Sequence, residues 1–302
     1  MHSRPPVSRS ATLIGLSALV IWAGYVGFIR VAADAFGPTL GAALLYTLAG
    51  AALWVTRRPR SLSTMPRRYL LIGGGLFVFY EVAVSLAIGL AHGPNQAIEV
   101  SIVNHLWPTL TVLLTVLIRP GRRGVWALVP GLVVATAGVA WVVGGERGLN
   151  PVGIIANIAT NPLPYALALS GAVAWASYSV LVPPLAKGHD GITLFMCSVA
   201  VALWVLWLAG GAPSPDAVTA RGVLSLIAGA AVIAAGYACW NVGIGKGNMN
   251  VLSVASYAAP VLQAAAASII LGAALSPTFW QGVALVAVGS LLCWWALRRA
   301  GR

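Results

Sequence analysis

Residues 99–115, Glu99-Val-Ser-Ile-Val-Asn-His-Leu-Trp-Pro-Thr-Leu-Thr-Val-Leu-Leu-Thr115, place a carboxylate, a carboxamide, an imidazole, an indole and a proline inside an apolar run. Ser101, Asn104, Pro108, Thr111 and Thr115 recur at 3,4,3,4 spacing, which on a helix aligns them as one polar stripe. Hydrocarbon cannot satisfy such groups, so the stripe is expected to face the protein interior or a wet cavity. Pro108 removes one backbone hydrogen bond and frees a carbonyl on the same stripe. Ser and Thr alone would fit a polar seam between packed helices. Glu99, Asn104, His105 and Trp107 together point instead to a site that binds a ligand through hydrogen bonds and ring contact.

Further candidates lie elsewhere in the chain. Of the 12 tryptophans, Trp54, Trp126, Trp141, Trp204, Trp207, Trp280, Trp294 and Trp295 fall near the ends of apolar runs, where an interfacial belt is the expected role. Trp22, Trp107 and Trp175 fall near the middle of theirs, and Trp240 lies between. Tyr25 and Tyr178 follow Trp22 and Trp175 by three residues, on the same helix face. Helix packing competes with a cavity wall here. A wall of such rings would accept flat apolar side chains by stacking and edge contacts.

Glu81, beside Tyr80 and four residues before Ser85, is the deepest acid. It is expected either neutral and hydrogen-bonded or paired with a substrate ammonium. Glu99 sits near the outer start of its run and is expected to be wet there or functional. Asp34, Glu146, Asp190 and Asp216 fall in loops or at run ends, as solvated surface. His105, the histidine inside a run, is placed at the cavity wall with Trp107; no His or carboxylate stands at ligand spacing to it, so no metal is expected. Asn241, Tyr257 and Gln263 offer neutral hydrogen bonds to a carboxylate, helped by backbone freed at Pro108 and Pro260. The candidate substrate-binding set is thus Trp107, His105, Asn104, Trp175, Tyr178, Trp22, Tyr80, Glu81, Trp240, Asn241 and Tyr257.

The elements that must position these groups follow from composition. Hydrophobic residues make up 59% of the 302 residues, charged residues 8%, and mean hydropathy is +0.89. A soluble domain carries about 25% charge, so the bilayer is the solvent. Apolar runs at about 10–29, 38–56, 69–91, 96–118, 124–143, 163–183, 191–210, 221–243, 249–272 and 277–297 each approach the roughly 20 residues that a crossing helix needs. The basic N-terminus precedes a run without a small-residue cleavage site, which reads as a retained first helix.

With the N-terminus inside, inner segments hold Arg4, Arg9, Arg57, Arg58, Arg60, Arg67, Arg68, Arg119, Arg122, Arg123, Lys187, Lys246, Arg298, Arg299 and Arg302. Outer segments hold only Arg30, Arg147 and Arg221 of the 18 Lys and Arg. That bias places both termini in the cytoplasm. It also explains the net charge of +12 by topology, so no nucleic-acid partner is expected. Cys197, Cys239 and Cys293 are far apart and read as packing thiols.

The chain also repeats itself. Ser17-x4-Trp22-Ala-x-Tyr25 returns as Ser170-x4-Trp175-Ala-x-Tyr178, Ser101-x6-Pro108-x-Leu110 as Ser253-x6-Pro260-x-Leu262, and Gly131-x6-Gly138 as Gly282-x6-Gly289, each roughly 152 residues on. Glu81 and Ser85 have Tyr237 and Asn241 as counterparts. Five crossings per unit turn the second unit upside down, the architecture of alternating-access carriers. The expected fold is therefore all-α and integral to the membrane, ten transmembrane helices as two inverted five-helix repeats around a central cavity. The first repeat is 1–145, an external linker is 146–162, and the second repeat is 163–302. Ile154 to Ala159 of the linker are expected at the interface.

Taken with the ten runs, these halves resemble the drug/metabolite transporter superfamily of the type with two EamA domains. Ala11-Thr-Leu-Ile-Gly-Leu16, Gln96-Ala-Ile-Glu-Val100 running into Asn104-His-Leu-Trp-Pro108, and Gly236-Tyr-Ala-Cys-Trp-Asn-Val-Gly-Ile244 look like the YddG-type aromatic amino-acid exporters; Phe279-Trp-Gln-Gly282 and Gly289-Ser-Leu-Leu-Cys-Trp294 extend the match. The resemblance implies export of Phe, Tyr and Trp across a bacterial inner membrane through a central cavity.

No nucleophile with a base and no phosphate-binding loop stands in the sequence. An enzyme is therefore not expected, no cofactor is implied, and transport would draw on the substrate gradient or an ion. Competing readings are a broad drug or metabolite exporter of the same superfamily and a membrane enzyme acting on lipid-linked substrates. The enzyme would want acids, Arg and His clustered at one face, which these short loops lack; a scaffold or receptor would not need the inverted repeat. Beyond a small substrate and the bilayer no partner is specified, and a monomer is the default expectation.

Overall fold

A computed structural model describes residues 8–57, 64–118, 125–215 and 218–300. Arg4, Arg58, Arg60, Arg119, Arg122, Arg123 and Arg302 of the expected inner cations, and Asp216, lie outside the described residues. The helices are α1 (Arg9–Trp22), α2 (Tyr25–Phe36), α3 (Pro38–Arg57), α4 (Gly74–Gly89), α5 (Pro94–Asn104), α6 (Trp107–Ile118), α7 (Val125–Val143), α8 (Pro151–Thr160), α9 (Pro162–Ala186), α10 (Ile192–Ala209), α11 (Ala220–Lys246), α12 (Met249–Ala255), α13 (Ala259–Leu271) and α14 (Pro277–Ala300). Among the described residues there is no strand, and ten helical segments are long and apolar enough to cross a bilayer. The protein is an all-α, multi-pass membrane protein.

Three spans are broken. The first consists of α1 and α2 with an interruption at Ala23–Gly24, the fourth of α5 and α6 with one at His105–Leu106, and the ninth of α12 and α13 joined by a 3-10 turn at Ser256–Ala258. Pro108 and Pro260 are each the second residue of the helix that follows the break. A proline is harmless there, because the first turn has no partner for its missing N–H. Pro108 therefore begins a helix rather than kinking one. The first span runs from Arg9 to Phe36, seven residues past its expected end. Arg30 and Asp34 tolerate that depth because they pair one turn apart, and Arg30 also donates to the carbonyls of Ile88, Gly89 and Ala91.

The expected polar stripe divides in two. Ser101 and Asn104 face a cavity, whereas the Thr111 and Thr115 hydroxyls donate to the carbonyls of Trp107 and Thr111, both at 2.7 Å. Back-bonding of this kind satisfies Thr within its own helix and asks nothing of a neighbour.

The most extensive helix pairings are α7 with α14, α1 with α11, α3 with α10 and α4 with α9. Glycine sets the closest of them. A Cβ on Gly131 would lie 2.7 Å from the Gly289 carbonyl oxygen, and one on Gly138 would lie 2.8 Å from that of Gly282. The repeated glycine pairs are thus the crossing of α7 and α14. Gly15 and Gly243 do the same for α1 and α11, at 2.8 Å from the Cβ of one to the Cα of the other. Backbones that approach this closely gain dispersion contact that lipid cannot supply. Gly138→Val is expected to force α7 off α14 at a cost of about 1–3 kcal/mol, seen as a lower melting temperature in detergent.

Candidate functional site

A cavity of about 210 Å³ lies between α1–α2, α4, α5–α6, α9, α11 and the α12–α13 junction. Its wall contains Trp22, Tyr80, Glu81, Asn104, His105, Trp107, Trp175 and Trp240 from the candidate set, together with Tyr25, Ser101, Tyr237 and Gln263. The breaks at Ala23–Gly24, His105–Leu106 and Ser256–Ala258 all adjoin it, so irregular backbone occurs in this bilayer span only where protein or cavity can satisfy it.

Trp175 is the hub of the aromatic wall. It stacks on Tyr178 at 5.1 Å and 8°, lies 4.6 Å from Tyr80, meets Trp107 edge-on at 6.3 Å and 86°, and reaches Phe77 at 6.2 Å. On the opposite side Trp22 meets Tyr237 edge-on at 5.1 Å and Trp240 at 5.8 Å. Phe77 joins the two groups through Tyr237 at 5.6 Å. Trp22, Trp107, Trp175 and Trp240 bring four indole rings to the cavity wall, each with one N–H donor. Gly236 is what lets Trp22 lie against α11: a Cβ there would be 2.2 Å from the indole Nε1. Gly236→Ala is expected to swing Trp22 from the wall and lower substrate affinity several-fold with α11 intact, checked by the concentration dependence of uptake.

Glu81 is 2% exposed. Its Oε2 accepts from the Tyr46 hydroxyl at 2.6 Å and the Tyr25 hydroxyl at 3.2 Å, and its Oε1 accepts from the Tyr237 hydroxyl. Ser85 donates to the Tyr46 oxygen at 3.1 Å. One carboxylate thereby gathers phenols from α2, α3 and α11. All three partners are neutral O–H donors, and among the described residues no cation contacts it. Tyr237 was visible as the repeat counterpart of Glu81, and Tyr25 as the companion of Trp22. Tyr46 carries no such signal, since it stands alone in an apolar run.

His105 is buried, and its Nδ1 lies 2.7 Å from the Ser101 carbonyl oxygen. A carbonyl can only accept, so Nδ1 carries a proton, and in the neutral tautomer Nε2 is then an acceptor. Asn104 donates to the Ala168 carbonyl at 3.1 Å, which ties α5 to α9. Three candidates lie outside the wall. Tyr178 supports Trp175 from behind, Tyr257 is buried in the α12–α13 turn, and Asn241 donates to Asp190 Oδ2 at 3.2 Å.

Glu99 is not wet: it is 9% exposed, and its Oε1 accepts from Asn157 at 2.8 Å and Tyr165 at 3.0 Å. Asn157 also donates to the Val143 carbonyl at 2.9 Å. Glu99 thus anchors α8, which buries none of its own residues, and it stands apart from the cavity wall.

Residues 162–295 match the EamA-like transporter family. The chain is 46% identical to the aromatic amino acid exporter YddG of Salmonella typhimurium, over 97% of this chain and 99% of that protein. It is 44% identical to the exporter of the same name from Escherichia coli, over 96% and 99%, and 30% identical to that of Ancylobacter novellus, over 84% and 86%. A solved crystal structure at 26% identity superposes with a TM-score of 0.64, covering 96% of this chain and 100% of that one.

Proposed function

The chain belongs to the EamA-like transporter family, among proteins of the YddG type, and from that premise we propose that it exports aromatic amino acids by alternating access. The observation that carries this reading is a ring-walled cavity whose single acid among the described residues, Glu81, contacts no cation there. Phe, Tyr or Trp would place its ring among Trp175, Tyr80, Trp107, Trp22 and Trp240. Its ammonium would take Glu81 as counter-ion, with His105 Nε2 as a further acceptor. Its carboxylate would take neutral donors, the indole N–H groups and the Gln263 carboxamide.

The helix pairings support two inverted five-span halves, 1–145 and 163–302, joined by the external linker 146–162. Exchanging the first five spans for the last five maps α7–α14 and α3–α10 onto themselves and α1–α11 onto α9–α4. The family match over residues 162–295 coincides with the second half. Cytoplasmic termini follow from the cation bias, and the bacterial inner membrane is the setting. The chain works as a carrier rather than an enzyme.

The test is uptake of labelled Phe, Tyr and Trp into liposomes holding the purified protein, without ATP. Saturable movement of all three, competed by one another and not by Leu or Lys, is the expected result. Equal movement of unrelated drugs would favour a broad-specificity exporter, and no movement of any amino acid would reject the reading. Repeating the assay with and without a pH gradient fixes the coupling.

A further inference from the structure

Among the described residues there are two ion pairs, Arg30–Asp34 within one helix and Arg57–Asp190 between distant parts of the chain. Arg57 is the last residue of α3. Its Nη1 lies 3.5 Å from Asp190 Oδ2, and its Nη2 donates to the Ala238 carbonyl of α11 at 2.8 Å. Asp190, in the turn between α9 and α10, also accepts from Asn241 at 3.2 Å and from the Ile192 N–H at 3.0 Å. One residue on, the Gly191 N–H donates to the Tyr69 hydroxyl at 2.8 Å. Two groups from 1–145, Arg57 and Tyr69, are thereby held by three from 163–302.

An unbroken line of rings connects this cluster to the cavity. Tyr69 packs on Phe195 at 5.2 Å, and Phe195 lies 5.9 Å from Phe77. Phe77 is 0% exposed and touches both Trp175 and Tyr237 on the cavity wall. The rings lie in series between the cavity and this face, and the polar cluster lies at their outer end. The ion pair itself is weak: the Arg57 and Asp190 side chains are 26% and 55% exposed, and water screens a pair in such a position. A contact that joins two halves at the end of a line of rings leading to the cavity, and whose ion pair is water-screened, suits a gate better than a structural staple.

We propose that Arg57, Asp190 and Asn241 form a cytoplasmic latch whose opening admits substrate to the cavity. The proposal rests on the exporter reading for its direction, since the latch face is the one that reading places in the cytoplasm.

The test reads access to the cavity without substrate. Cys197, Cys239 and Cys293 are changed to Ser in the full chain, and Ser179→Cys places one thiol on the cavity wall, one turn along α9 from Trp175. The labelling rate by a membrane-impermeant maleimide is measured from each face of oriented vesicles. Arg57→Gln is expected to raise labelling from the latch face about fivefold, with Arg57→Lys close to the parent. Asn241→Leu, which removes one contact and leaves the ion pair, is expected to give a smaller rise and serves if Arg57→Gln does not fold. Parent-like labelling from the latch face in Arg57→Gln, or in Asn241→Leu should that variant stand alone, would overturn the latch. Substrate enters nowhere in this measurement, so a failed latch and a wrong substrate give separate results.

Discussion

Glu81→Gln in liposomes is expected to fold and yet lose about tenfold to a hundredfold in the initial rate of Trp uptake, the range that losing one hydrogen bond to a charged group implies. The amide can still accept from Tyr46 and Tyr25, and it can donate to the Tyr237 oxygen if that phenol turns its proton away. The folded state keeps its hydrogen bonds; what disappears is the negative charge available to a substrate ammonium. Glu81→Leu is expected to behave differently. It strands the Tyr237 hydroxyl, at about 1–3 kcal/mol for a buried unsatisfied group, and leaves Tyr25 and Tyr46 with only each other at 3.0 Å and Ser85 as partners, so stability should fall along with transport. The melting temperature separates the two variants. If Glu81→Gln transports at the parent rate, the acid is a staple between α2, α3, α4 and α11 and not a counter-ion.

Trp175→Ala carries the other large effect. This ring contacts Phe77, Tyr80, Trp107 and Tyr178, and each aromatic pair contributes about 0.5–1.5 kcal/mol beyond its area. Removing it leaves Tyr80 and Trp107 unsupported, so a drop in transport of more than about tenfold for all three aromatic substrates is expected. Trp175→Phe should recover much of the rate, since it restores an edge to Trp107 and a face to Tyr178, though not the indole N–H. The measurement is the concentration dependence of uptake at matched protein levels. Parent-like transport by Trp175→Ala would remove the ring-walled cavity from the account.

Much of the fold was legible because hydrocarbon imposes one simple demand, that every spanning segment be apolar and hydrogen-bonded within itself. The run lengths located the ten spans to within a few residues at most ends. The extension to Phe36 was hidden because Arg30 and Asp34 look like loop residues until their pairing is seen. Gly131, Gly138, Gly282 and Gly289 were readable as a repeated pattern, and the close crossing is what that pattern does. Trp22, Trp107 and Trp175 stood out because an indole in mid-span needs a reason. Tyr46 and Phe77 did not, since single rings in apolar runs announce nothing. The phenol cage around Glu81 joins residues 25, 46, 81 and 237 across four helices, and no local spacing encodes such an encounter. The same holds for Asn241: at its position a substrate contact and a tie to Asp190 read alike.

The glycine crossing of α7 and α14 has a mechanical consequence. Where main chain lies directly on main chain there are no rotamers to exchange, so this pair cannot slide into a second packing without lifting apart. It is therefore the pairing least able to repack. If the remaining spans rock to change which side the hollow faces, reporter labels on α7 and α14 should hold a constant separation and can serve as the fixed ruler against which every other displacement is measured.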